Sequence, residues 1–189
     1  MKIYNIIASL FLLVTSYSAS AEDFDYTETN SFVSTGNLTL GTRQNINLDV
    51  SHYIARYDFK GTPYRVEYRY VDKGTRTENW YRFQVKQYNN GVLWYNHRVE
   101  HRDREGKENV VRYRPQFGVK YNKFFVTFEP HWNYGYDYKE FKYSHLQTFT
   151  GYEYKVTSNF KVVPFIEVDF NDSFKKDIAF FGVDLKYKM

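Results

Sequence analysis

Arginine and lysine recur at even spacings through the middle of the sequence: Arg65 and Arg69, Arg82 and Lys86, Arg98 and Arg102, Arg112 and Arg114, then Lys120. A guanidinium is a permanent cation whose planar fork suits a carboxylate, so a wall built from these side chains would focus a positive potential and favour anions. Carrying the same parity onward adds Lys155, Lys161, Lys186 and Lys188. The matching acids are Glu67, Glu100, Glu129, Glu153, Glu167, Asp169 and Asp184. Thirteen bases against seven acids is a larger excess than the whole chain carries, since its net charge is +4 and Lys2 supplies one of those charges.

Catalytic patterns are weaker. His97 and His101 have the spacing of helical metal ligands, but on a strand residues four apart are about 13 Å apart and cannot share an ion. His131 and Glu129 share one strand face about 7 Å apart, with no serine or second acid tied to them by a motif. His52 and His145 are isolated, and the chain has no cysteine. No enzyme activity, metal or cofactor is expected. Basic residues interleaved with Tyr and Phe would also suit single-stranded nucleic acid, but the N-terminus argues against that partner. Lys2, the apolar run from Ile6 to Val14, and Ala19-Ser20-Ala21 before Glu22 read as a secretory signal ending at residue 21.

The elements that would position the basic stripe are strands. Between Val110 and Tyr138 two alternating runs flank Asn122-Lys123, which reads as a hairpin turn. Val111, Tyr113, Pro115, Phe117, Val119 and Tyr121 share one face, and Arg112, Arg114, Gln116, Gly118 and Lys120 the other. In the second run Phe124, Val126, Phe128, Trp132, Tyr134, Tyr136 and Tyr138 oppose a face that includes Thr127, Glu129, His131 and Asn133. Each run is about twice the usual strand length of 5 to 6 residues. A membrane-crossing strand needs about 9–11 residues, apolar toward lipid and polar toward the lumen. Twenty Tyr and 21% aromatic residues suit that composition.

In chain order, residues 22–30 read as a flexible lead-in and residues 31–189 as one barrel domain. Phe32 to Thr42 is a weak strand. Gln44 to Phe59 is a longer one, in which Ile46, Leu48 and Val50 give way to Tyr53, Ala55, Tyr57 and Phe59, a parity switch that predicts a β-bulge. Further stripes run through Tyr64–Tyr70, Tyr81–Val85, Leu93–Val99, Leu146–Val156, Phe160–Phe170 and Phe181–Met189. Short breaks at 60–63, 89–91, 122–123 and 157–159 alternate with longer ones at 72–79, 103–109, about 138–143, and 171–177. Outer-membrane barrels alternate in this way and have even strand counts. The prediction is an all-β, transmembrane, antiparallel up-and-down β-barrel of about 10 strands, with 12 or 8 as alternatives. Pro115 and Pro130 would lie opposite each other about the hairpin turn, confining the loss of amide donors to one rung.

Val66-Glu67-Tyr68-Arg69-Tyr70, Gly74-Thr75-Arg76-Thr77, Asn90-Gly91 and Arg112-Tyr113-Arg114-Pro115-Gln116 carry a resemblance to a known family. From Tyr64 onward the chain resembles the small outer-membrane porins specific for acidic oligosaccharides, the oligogalacturonate-specific porin family. That resemblance implies a twelve-stranded barrel with an arginine- and lysine-rich lumen in a bacterial outer membrane. Residues and resemblance together predict an outer-membrane porin for passive diffusion of small anionic solutes, with lipid and the outer-membrane assembly machinery as its other partners. One alternative is a closed barrel with a salt-bridged interior, acting as a structural or loop-mediated interaction protein. Another is a periplasmic soluble β-barrel binder with its apolar face inside.

Overall fold

The computed structural model describes residues 24–45, 49–135 and 140–189, and among these there is no helix. The signal segment, Ile46, Leu48, Tyr136 and Tyr138 lie outside the described residues. The strands are β1 (Tyr26–Thr35), β2 (Leu38–Asn45), β3 (Val50–Asp58), β4 (Tyr64–Asp72), β5 (Thr77–Asn89) and β6 (Leu93–Arg104). They continue with β7 (Val110–Tyr113), β8 (Gln116–Tyr121), β9 (Phe124–Gly135), β10 (Phe141–Tyr152), β11 (Tyr154–Lys155), β12 (Phe160–Asn171) and β13 (Lys176–Lys188). Segments β7 and β8 are two halves of one strand, since both pair with β6 on one side and β9 on the other. Segment β11 extends β10 along β12. The thirteen segments therefore make an eleven-stranded closed barrel.

Consecutive strands pair antiparallel, but an odd count forces the closing pair to be parallel. β1 lies parallel to β13 from Tyr26 opposite Phe180 to Ser34 opposite Lys188. The expected ten strands, and the twelve implied by resemblance, are not what the chain forms. The difference lies in its first quarter. Gly36, with φ of +57°, turns the chain between β1 and β2, so that Phe32–Thr42 is a hairpin rather than a strand. Glycine reaches that backbone region without the Cβ clash other residues meet. The expected lead-in is also shorter, because Tyr26 to Asn30 belong to β1. Near Asp49 (φ +48°) the expected single strand from Gln44 to Phe59 is divided: Gln44 and Asn45 end β2, and Val50–Asp58 is β3, which pairs antiparallel with β2 from Leu38 opposite Tyr57 to Asn45 opposite Val50.

The longer connections also contract. Strand pairing extends to Asp72 opposite Thr77 and to Glu78 opposite Arg104, so the breaks shrink to 73–76 and 105–109, and the last to 172–175. The expected contrast between short turns and long loops is correspondingly weak. The central hairpin forms as expected, with Tyr121 opposite Phe124 and Asn122 at φ +55°. Tyr113 pairs with Trp132 and Phe117 with Phe128, which brings Pro115 and Pro130 to the same rung. That rung is where β7 and β8 separate. On its other side Arg114 still donates its backbone N–H to the Arg98 carbonyl, at 2.8 Å.

The barrel is inside-out relative to a soluble core. Along β4, Tyr64, Val66 and Tyr68 are exposed, while Glu67 and Arg69 are buried. Tyr53, Tyr57, Tyr81, Phe83, Val99, Phe117, Phe181 and Tyr187 repeat the outward pattern. Aromatic pairs gather toward both ends of this outer face. Tyr57 with Phe59 (5.2 Å between ring centres) and Phe124 with Tyr152 (4.7 Å) lie near one set of turns, and Trp132 with Tyr143 (5.8 Å) and Tyr134 with Phe141 (5.3 Å) near the other.

Closure by a parallel β1–β13 seam can be checked by cross-linking. Cysteines replacing Ser31 and Leu185, which are register partners, should form an intramolecular disulfide on mild oxidation, seen as a mobility shift on a non-reducing gel. Failure to cross-link in folded protein would exclude this closure.

Candidate functional site

The site is the barrel interior, and its construction follows from strand parity. With aromatic side chains outward, each charged residue between them points inward. The register then decides which charges meet. Glu67 on β4 accepts from Arg56 on β3 (2.6 Å), Arg82 on β5 (2.7 Å) and Arg69 on its own strand (3.1 Å). Glu100 on β6 is fully buried and meets Arg82, Arg102 and Arg114, the last at 3.2 Å. Glu129 on β9 meets Arg114, Arg98 at 3.5 Å, and the Gln116 amide.

These contacts join into one network. From Glu129 and Glu100, Arg114 reaches across to Gln147 on β10 (3.0 Å), whose amide donates to Glu167 on β12 (2.9 Å). Arg43 on β2 lies 3.5 Å from Glu167 and also binds Glu28 on β1. Asn30 then donates to Glu28 (2.9 Å) and to Asp184 on β13 (2.7 Å). Every strand of the barrel contributes at least one member. A buried carboxylate or guanidinium is tolerable only when paired and hydrogen-bonded, so the network holds each strand in a single register.

Of the nine basic residues predicted to line the lumen, Arg65, Arg69, Arg82, Arg98, Arg102, Arg112 and Arg114 surround one cavity of about 390 Å³. Lys86 and Lys120 are drawn away from it, Lys86 to Asp58 and Lys120 to Glu153. Asp58 also takes Arg65 at 2.9 Å. Two further arginines line the cavity that the sequence reading did not assign: Arg43, left in the break between two expected strands, and Arg56, which shares the inward parity of the expected Gln44–Phe59 strand. It also placed Glu78 and part of the 72–79 segment in a loop. Glu78 is in fact buried at the start of β5, accepts from Lys73 (2.6 Å) and from the Trp80 indole (2.8 Å), and helps hold that ring inside. In the adjoining turn, burial lowers the Lys73 ammonium below the usual lysine range, with the Glu78 carboxylate opposing the shift.

Trp80 is the platform on which three guanidiniums gather: Arg102 at 3.4 Å from the ring centre, Arg82 at 5.0 Å and Arg69 at 5.5 Å. Stacking on an indole face is a favourable way to desolvate a guanidinium. Arg112 differs from its neighbours. Among the described residues no carboxylate lies within ion-pair distance of it; its Nε is buried with no hydrogen-bond partner, as are those of Arg69 and Arg114.

The histidines occupy two environments. His131 and His145 are register partners with ring centres 3.9 Å apart, and His131 Nε2 lies 3.2 Å from Glu129. Neither His145 nor His52 is isolated, since the His52 ring lies 5.4 Å from the Trp80 ring and its Nδ1 is 3.5 Å from the Arg69 guanidinium. His97, of outward parity, joins the Tyr113 hydroxyl at 2.6 Å and Gln87 at 2.5 Å, while His101 lies against Tyr81. Among the described residues no group of three or more side chains is arranged to hold a metal ion. No protein-family model matches the chain, and no curated protein matches it.

The network predicts a specific stability pattern. Glu100→Gln leaves three buried guanidiniums without their shared charge and should destabilise the barrel by about 3–5 kcal/mol. Glu140→Gln, which removes an exposed carboxylate 2.6 Å from Lys142, should change stability by less than about 0.5 kcal/mol. Urea titration of the folded protein in detergent, read by heat-dependent gel mobility, compares the two.

Proposed function

We propose that this chain is a bacterial outer-membrane barrel that lets small anionic solutes, acidic oligosaccharides among the candidates, diffuse through a cationic lumen. The observation that carries the reading is the lining of the 390 Å³ cavity: nine arginines and Lys186 against Glu129 and Asp184. In a narrow space with low-dielectric walls such a lining raises the local concentration of anions and repels cations. The outward apolar face supports placement in lipid, and its aromatic pairs toward both ends match the interfacial girdles of membrane barrels. A soluble binder would need that face turned inward around its core, the reverse of the burial along β4. The signal-like segment at residues 1–21 supports export from the cytoplasm.

A second reading, a closed barrel, is favoured by a specific observation. Glu100 and Glu129 are 0% and 1% exposed at the centre of the network, and small barrels can fill their interior with side chains. Both readings share the outer-membrane placement and part over transport.

Planar-bilayer recording separates them. The proposed porin should give discrete conductance steps with an anion-selective reversal potential in a salt gradient. Arg112→Gln, at the cavity arginine with no ion-pair partner among the described residues, should reduce that selectivity while leaving the fold intact. Absence of steps from protein shown to be inserted would contradict diffusion and support the closed barrel.

A further inference from the structure

The cavity wall is not uniformly ionic. Phe32, Trp94, Phe125, Phe149 and Phe165 line the same space as the arginines. Four of these rings sit directly opposite a glycine on the neighbouring strand: Phe32 opposite Gly41, Trp94 opposite Gly118, Phe125 opposite Gly151, and Phe165 opposite Gly182. A Cβ added at these glycines would fall 2.4, 1.8, 2.6 and 2.2 Å from the ring atoms. Those separations are below any tolerable contact. None of the four glycines has positive φ, so the backbone does not require glycine there; the ring does.

The consequence is geometric. Each ring folds over the bare backbone of its neighbour instead of standing toward the barrel axis, which keeps the cavity open and lines it with ring surface. If these rings only filled space they would be sealed against one another. Phe165 is, at 6% exposed, but Phe32, Trp94, Phe125 and Phe149, which line the same cavity, are only half-buried. Exposed aromatic surface in a polar chamber is unfavourable until something apolar covers it. Guanidiniums lie close by: Arg56 is 5.8 Å from the Phe32 ring centre, and Arg112 brings a cation with no ion-pair partner among the described residues.

We propose that the cavity binds aromatic carboxylates, with the solute ring against the wall rings and its carboxylate in a guanidinium fork. This deepens the anion-path reading and rests on it for the charge preference. A simple carboxylate would satisfy the arginines alone and leave the aromatic wall wet. A neutral arene would do the reverse. Only an anion with an apolar face uses both parts of the lining.

The test is calorimetric titration of the folded barrel in detergent with benzoate and with acetate at matched ionic strength, after subtracting uptake by empty micelles. Benzoate should bind at least tenfold more tightly than acetate. Trp94→Ala and Phe149→Ala, each confirmed folded by heat-dependent gel mobility, should cut that preference at least threefold while leaving acetate binding unchanged. Gly118→Ala, which forces the Trp94 ring off the wall, gives an independent variant that retains the ring and should also reduce the preference. Equal binding of the two anions, or a preference untouched by all three substitutions, would overturn the proposal. Bilayer recordings keep the two readings apart. A conducting barrel without benzoate preference defeats this inference alone. A silent barrel that binds benzoate through Trp94 and Phe149 supports it and defeats passage.

Discussion

The structure depends on the pairing of buried carboxylates with guanidiniums inside the barrel. Glu67, Glu100 and Glu129 each hold two or more cations in a space from which bulk water is largely removed. Such groups are costly to bury and costlier to leave alone. A slip of one residue in any strand would turn its charges out and its aromatic rings in, so the interior chemistry and the outer apolar face enforce each other. The central break at Pro115 shows how the constraint is met locally. Two prolines share one rung, and Arg114 beside that break, its backbone N–H still bonded to the Arg98 carbonyl, reaches Glu100, Glu129 and Gln147.

Charge in this lumen is arranged in two layers. The carboxylates Glu67 and Glu100 lie deep, and nine arginines line the cavity. The acids therefore stabilise the arginines without presenting equal negative charge to the cavity. Trp80 assists by stacking against Arg102, Arg82 and Arg69, and the glycine-backed rings leave space that larger neighbours would have filled. An interior can thus be tightly bonded around its wall and still retain a cavity.

The sequence made the periodic parts legible. The alternation from Tyr64 onward, the Asn122 turn, the shared rung of Pro115 and Pro130 and the inward basic stripe all follow from residue types at spacing two. What it hid was whatever depends on register or on a turn without strong punctuation. Gly36-Asn37 sits between Thr- and Leu-bearing runs whose weak alternation continues across it, so one hairpin resembled one strand. An even count called for a tenth strand there, and the run from Phe32 to Thr42 supplied it as one. Arg43 then fell in the short break after that run, whereas Arg56 stands at inward parity between Ala55 and Tyr57 and was open to the same reading as the later arginines. The ring-on-glycine pairs were invisible for a different reason, since Trp94 and Gly118 are 24 positions apart and only pairing makes them neighbours.

The central claim is that the ionic face of every strand encloses the lumen while the aromatic face meets lipid. Single cysteines placed along residues 64 to 71, labelled with a fluorophore and quenched by lipids carrying bromine on their acyl chains, test it directly. The account predicts a period of two, with strong quenching at 64, 66, 68 and 70 and little at 65, 67, 69 and 71. Uniform weak quenching, or the opposite phase, would contradict it.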